Sequence, residues 1–425
     1  MYNEISNRES EIWLSQFSHN QEDYETASKL LSRCCFVSKA EFDAAMLSGF
    51  DYYFGNIGKV AFFIEREFKK KDNIPQRMFS VDKIKHPSRR RYIRRANGAA
   101  LHPVYSLRLN KHIIGSEALM THLTTMKCRS RRWTGTFYLH PSVEEFRKRK
   151  IKNIVLVTDL IGTGKRITEM LNSFWKVETI KSWASLKYIQ FYIYCYSCTK
   201  DAKRIIKSHP ANPIIKSFCI TPTIKDSFEI QDQVKIIDLC RNYASNSDTP
   251  LGYDNSGILM SFAHSIPNNI PSILSKSVNT KKMTWAKYFP DPSSVIKGYF
   301  LEPYSFGKES ELFFAKLGLP YMNNALKTIN CGYRERLASI LVLLVGRGVN
   351  YESEIIRLSG FSPLMVFNME NEAYELGLIK FRSNALTSRG RSLYNTLINR
   401  EKAIKKNIED NQNFYYPSSL RAPYP

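Results

Sequence analysis

Hydrophobic positions along the chain change period several times, and the sharpest change lies at residues 154–175, IVLVTDLIGTGKRITEMLNSFW. Ile154, Val155, Leu156 and Val157 form an apolar, largely β-branched run, the composition of a strand buried on both faces of a parallel sheet. The run stops at Thr158-Asp159 and passes through Gly162-Thr163-Gly164. Ile167, Met170, Leu171, Phe174 and Trp175 then recur at helical spacing and fall on one helix face. Further on, residues 190–198 read as a strand, 200–208 as a short helix and 213–220 as another strand. This alternation predicts an α/β fold with a parallel sheet. Ligands of such sheets sit at the carboxyl ends of the strands, where Asp159 and the glycine loop fall.

Upstream, residues 10–47 have helical spacing, carried by Trp13, Phe17, Tyr24, Ala27, Leu30 and Leu31, with Cys34-Cys35 inside the apolar helical stretch. A second helix is expected from the capping box Ser38-Lys39-Ala40-Glu41. Residues 59–68 (KVAFFIEREF) fit a strand and a helix equally. Downstream, residues 290–331 mix proline, glycine and aromatics without a period and read as a structured linker. Helices are then expected at 334–345, 351–359 and 363–376, a short hairpin about Ser383-Asn384, and a last helix at 390–399. Three helices and a hairpin wing resemble a winged-helix domain, whose third helix usually enters the DNA major groove. Here the third helix carries Glu370, Glu372 and Glu375 and no cation, whereas the wing region has Lys380, Arg382, Arg389 and Arg391. That distribution favours docking on a protein or nucleoprotein over sequence readout. The expected organisation is a helical module at 1–80, an α/β domain at 81–290, a linker at 291–330, a winged-helix-like domain at 331–402 and a tail at 403–425, mobile from Asn413 onward.

Charge narrows the partners. A net charge of +23 on 425 residues points to a polyanion, most simply a nucleic acid. The cations concentrate between residues 83 and 152. Arg89, Arg90, Arg91, Arg94 and Arg95 form one cluster, Lys127, Arg129, Arg131 and Arg132 a second, and residues 147–150 a third. Tyr92, Tyr105, Trp133, Phe137 and Tyr138 are interleaved, a pattern that suits single-stranded or structured RNA or DNA and equally a solvated basic face with its rings in the core. The second cluster also suits the pyrophosphate of a small ligand. No apolar run reaches the ~20 residues of a spanning helix, and the polar, acidic N-terminus does not read as a signal peptide. The cysteines show no disulfide framework, and Cys195 and Cys198 are expected on opposite faces of one strand; reduced thiols in a cytoplasmic protein follow. No metal-ligand spacing is present.

Strand, glycine turn and helix is the arrangement that cradles a phosphate, because glycines let the backbone approach and the first helical amides face the anion. Neither GxxxxGK[ST] nor GxGxxG occurs after the strand. The stretch instead resembles the signature of type I phosphoribosyltransferases: an apolar strand, two acids, a few variable residues, then Thr-Gly. The resemblance implies that Asp159 takes the place of the second acid and accepts the ribose hydroxyls of phosphoribosyl pyrophosphate (PRPP). Gly162, Thr163, Gly164, Lys165 and Arg166 would hold the 5′-phosphate. Thr158 stands where the first acid belongs, and Arg166 replaces a small hydroxyl residue. Binding survives such a change more easily than efficient transfer does.

A later block extends the resemblance. Residues 251–274 read LGYDNSGILMSFAHSIPNNIPSIL, followed by Trp285 and Phe289. Together with Trp13, Phe17, Leu30 and Leu31 and the central D-x-x-G-T-G, this block resembles the PRTase-CE family, phosphoribosyltransferase-like proteins of biological conflict and antiphage systems. His264, Asn268 and Asn269 are able to read a base or ribose edge, although Pro267-Asn268-Asn269 also fits a capped turn. A phosphoribosyltransferase-like domain joined to a winged helix is similar to effectors that accompany retron reverse transcriptases. The resemblance implies a PRPP-like or nucleotide ligand with Mg2+ as a companion ion. It also implies a toxic effector restrained by a reverse transcriptase or a nucleic acid such as msDNA. A catalytically inactive ligand sensor or nucleic-acid-binding regulator is the alternative; an ordinary salvage transferase fits less well.

Overall fold

In a computed structural model the protein divides into two compact units, residues 1–300 and 301–425. The described residues are 7–68, 70–71, 74–85, 92–101, 116–244, 249–279, 284–289, 313–315, 317–327, 333–359, 363–380 and 385–413. No helix among them is long and apolar enough to cross a membrane.

A five-stranded parallel sheet organises the first unit. Its strands are β1 (Val60–Ile64), β2 (Phe137–Leu139), β3 (Asn153–Ile161), β4 (Gln190–Cys198) and β5 (Ile214–Ile220), in the spatial order β5-β4-β3-β1-β2. The ambiguous stretch 59–68 supplies β1, which is fully buried and paired along both edges. Five consecutive apolar residues suit a strand covered on both faces and would leave a helix no solvent side. Residues 60–64, inside the stretch 1–80 expected as a helical module, thus supply a strand of the central sheet. β3 also runs further than the apolar run, because pairing with β4 continues through Leu160↔Ser197 and Ile161↔Cys198. Asp159 thus sits within the strand near its carboxyl end.

Alternation along the strands fills two layers. Helix α1 (Lys39–Phe54), capped by the Ser38 hydroxyl on the Glu41 amide, covers one face. Its Phe50 meets Phe62 and Tyr194, and the Tyr194 hydroxyl donates to the Met46 carbonyl at 2.7 Å. Gly49 is required at this crossing, since a Cβ there would lie 1.9 Å from the Tyr194 oxygen. On the other face α3 (Lys165–Trp175), following α2 (Ser116–Arg129) in sequence, packs Ile167, Met170, Leu171 and Phe174 against Phe63, Leu156 and Phe191. Burial of each such side chain contributes roughly 1.5–3 kcal/mol. Cys195 and Cys198 belong to this same cluster, contrary to the expectation of opposite faces. Cys198 ends its strand just before Thr199 caps α4 (Lys200–Lys207), where strict alternation no longer holds. No disulfide links the described cysteines.

The N-terminal residues close over the 251–289 block. Cys35–Val37, expected within a helix, is a strand paired in parallel with Met260–Phe262. Trp13 and Phe17 pack edge-on against Trp285 at 5.8 and 5.1 Å. The sequence blocks at the two ends of this unit therefore form one aromatic cluster.

In the second unit, α5 (Tyr333–Gly346), α6 (Glu352–Ser359) and α7 (Pro363–Glu375) precede an antiparallel bridge Ile379↔Leu386 and α8 (Ser388–Asn413). This is the expected helical, winged-helix-type domain; the hairpin tip about Ser383-Asn384, with Arg382, lies outside the described residues. The last helix continues beyond residue 399 and through 403–413, first assigned to a tail, since KAIKKNIED contains no glycine or proline to stop it.

Candidate functional site

Sheet order locates the site. From β1 the chain moves outward to β2, whereas β3 leads the other way to β4 and β5, so the connections diverge at the β1–β3 boundary. A crevice must open at the carboxyl ends of strands that diverge in this way. A cleft of ≈ 910 Å³ lies there, lined by Glu65, Glu67 and Phe68 after β1, by residues 159–167 of β3 and its loop, and by Tyr253 and residues 265–269 opposite.

The glycine loop opens α3. Gly164 is the N-cap of α3 at φ +78°, a left-handed conformation that favours glycine, and it makes no side-chain capping bond. The Lys165 amide donates to the Thr163 hydroxyl at 3.4 Å, and the first amides of a helix lack intrahelical acceptors and carry the positive end of its dipole. Thr199 anchors the loop from β4 through a 2.6 Å bond to the Gly162 carbonyl. Gly162 itself is packed against Asn269, whose side chain would lie 2.9 Å from an added Cβ. Lys165 and Arg166 stand at the loop's edge, and both are paired across the cleft. Lys165 meets Asp254 at 3.0 Å and the Tyr253 ring at 5.5 Å. Arg166 Nε meets Glu65 at 3.1 Å, and its Nη2 meets Glu117.

Asp159 is buried and ionised. Burial alone would raise its carboxyl, but the His264 ring at 3.4 Å and the Leu160 amide at 2.8 Å hold it below the usual carboxylate range. Thr158, in place of the first acid, donates its hydroxyl to Glu65 and lies 3.4 Å from Asp159 Oδ1. Glu65 was missed in the sequence. Burial pushes its carboxyl up to about 7, against the pull of Arg166 and Thr158. The available signal was an acid directly after the apolar run at 60–64, which becomes informative once that run is a strand.

The 264–269 segment divides. His264 is buried between Phe42 and Phe262 and turns to Asp159, so it orients the acid and does not line the cleft. Asn269 donates to the Tyr253 carbonyl and to Ser256, which gives it the role of a turn clamp. Asn268 lines the cleft beside Pro267.

The basic clusters also divide. Arg89, Arg90 and Arg91 lie outside the described residues. Arg94 and Arg95 stand on the ribbon Ser80–Lys85/Tyr92–Asn97, Arg94 paired with Glu178 at 2.6 Å, beside an exposed Tyr92. In the second cluster Lys127 is buried on Asp51 at 2.9 Å. Arg132 covers Trp133, Arg131 is half-buried and Arg129 is exposed. Trp133 and Phe137 stack in the core and offer no ring to a base.

A family model described as PRTase-CE matches residues 10–290, and a second, described as wHTH-PRTase associated, matches residues 339–422. No curated protein and no solved structure matches the chain.

Proposed function

The chain belongs to the PRTase-CE family, and on that premise we propose that the β1–β3 cleft binds the ribose and 5′-phosphate of a PRPP-like compound or nucleotide. The observation that carries this reading is one juxtaposition. Asp159, ionised at the carboxyl end of β3, and a glycine-led helix start with no side-chain cap line the same cleft at the divergence of the sheet. The loop amides and the Thr163 hydroxyl would take the phosphate, and Asp159 the ribose hydroxyls. Mg2+ would enter this site as a companion of the ligand's phosphates, whose oxygens would supply much of its coordination.

Biologically, the protein would act as an antiphage effector of the retron-associated kind. A nucleic-acid partner such as msDNA, or a reverse transcriptase, would restrain it, with the appended winged helix as the docking module. The acidic third helix supports docking over readout of DNA. A catalytically silent sensor is the second reading, favoured by Thr158 in the place of an acid. Pyrophosphate release from PRPP by the purified protein separates the two. In cells, Asp159→Ala should abolish toxicity or defence while leaving the protein folded. Full activity of a well-folded Asp159→Ala protein would show that the loop is scaffold.

A further inference from the structure

A ribose presents vicinal hydroxyls as donors, so holding it by both needs two acceptors, and the loop's own sequence supplies one anionic acceptor, Asp159. The neighbouring strand supplies another carboxylate at the same place. β1 and β3 pair in register up to Ile64↔Val157, and the Glu65 amide extends the pairing with a 2.8 Å bond to the Val157 carbonyl. That register sets Glu65 beside Thr158, whose hydroxyl donates to it and stands 3.4 Å from Asp159 Oδ1. We propose that Glu65 is the second ribose-hydroxyl acceptor of this cleft, recruited from β1 to replace the acid that Thr158 displaces.

The proposal rests on the phosphoribosyl reading of the cleft and adds a residue that neither the loop motif nor its spacing indicates. Glu65 lines the cleft with Asp159. One of its oxygens accepts from Thr158 and the other from Arg166 Nε. A carboxylate offers about four lone-pair sites, so acceptor capacity remains on both oxygens. Arg166 is itself a residue of the phosphate loop. The same guanidinium therefore fixes the ribose acceptor and borders the phosphate, which links the two halves of the ligand. A buried acid of this kind is a poor structural element, since a well-packed apolar residue commonly serves a fold as well or better. Thr158 is then more than a lost acid: its hydroxyl holds the replacement in place.

Charge is the property to test. The groups facing Glu65 are Arg166 from α3, Glu117 from α2, Asp159 from β3, and Arg66 and Glu67 beside it, with His264 behind Asp159. The carboxyl titrates at about 7, so it is an anionic acceptor above that pH and largely protonated below it.

PRPP binding to the full chain is to be measured by titration calorimetry at pH 8 and pH 6 for wild type, Glu65→Gln and Asp159→Asn, with circular dichroism as the fold control. Glu65→Gln should weaken binding about tenfold at pH 8 and about twofold or less at pH 6, the ligand's own titration being common to both proteins. Binding by Glu65→Gln equal to wild type at both pH values, with Asp159→Asn impaired, would overturn the proposal and leave the phosphoribosyl reading standing. A loss of the same size at both pH values would also overturn it, by assigning Glu65 a purely structural part. Absence of PRPP binding by wild type would remove the phosphoribosyl reading, and the proposal with it.

Discussion

Replacing Glu65 by Gln is expected to stabilise the protein at pH 8 and to leave its stability nearly unchanged at pH 4. Burial raises this carboxyl from an ordinary 4.5 to about 7, so the folded state holds a proton that the unfolded chain releases between those values. Linkage then gives the sign. The contribution of the protonated acid is complete below pH 4.5, declines as pH rises, and is gone above about 7. The gap between 4.5 and about 7, at 1.36 kcal/mol per pH unit, amounts to roughly 3 kcal/mol. Gln is neutral throughout and close to the protonated acid in size and polarity, so it avoids the cost above pH 7. The pairing with Arg166 is already included, since Arg166 pulls the carboxyl down and burial still wins. Urea denaturation followed by tryptophan fluorescence at both pH values measures the difference, and other titrating groups cancel between wild type and variant. A Gln variant less stable than wild type at pH 8 would refute the reasoning, because the Glu65–Arg166 pair would then support the fold.

Gly164→Val should weaken PRPP binding by about tenfold or more. A β-branched residue at φ +78° costs roughly 1–3 kcal/mol and turns the loop, and Ala202 already stands 3.4 Å from an added Cβ, so circular dichroism is the fold control; unchanged affinity on titration would count against the loop. Changing Arg89, Arg90, Arg91, Arg94 and Arg95 to Gln should flatten the salt dependence of single-stranded nucleic-acid binding by about 0.7 in log–log slope per phosphate contact removed. An unaltered slope would make the ribbon Ser80–Lys85/Tyr92–Asn97 a solvated face. Removing the residues beyond 329 should leave the first unit folded but unable to join its partner complex, and co-purification of the shortened chain with that partner would contradict docking through the winged helix.

The legible parts of the sequence were those whose periodicity is local. Residues 154–175 and 190–220 announced their strands and helices because buried parallel strands are continuous apolar runs and amphipathic helices carry a stripe. β1 was ambiguous because five apolar residues are too few to show a period, and only pairing with β3 and β2 decides them. The strand Cys35–Val37 was unreadable for the same reason, its partner lying more than two hundred residues away. Residues 159–166 were singled out by their resemblance to a phosphoribosyltransferase signature. The partner acid was not, since Glu65 comes from another strand and is placed by register. His264 was singled out for a ligand edge, yet its packing against Phe42 and Phe262 turns it to Asp159, a direction set by tertiary packing.

The most direct test of the central claim is calorimetric titration of the purified chain with PRPP at pH 8, beside the same titration of Asp159→Asn. The Asn side chain can still accept the Leu160 amide, so the substitution removes the charge with little cost to the fold. A hydrogen bond to a charged acceptor is worth roughly 1.5–3 kcal/mol, which predicts saturable binding by wild type and an affinity about ten- to a hundredfold lower for the variant. Equal affinities for the two proteins, or no heat of binding from wild type, would contradict a phosphoribosyl site at the end of β3.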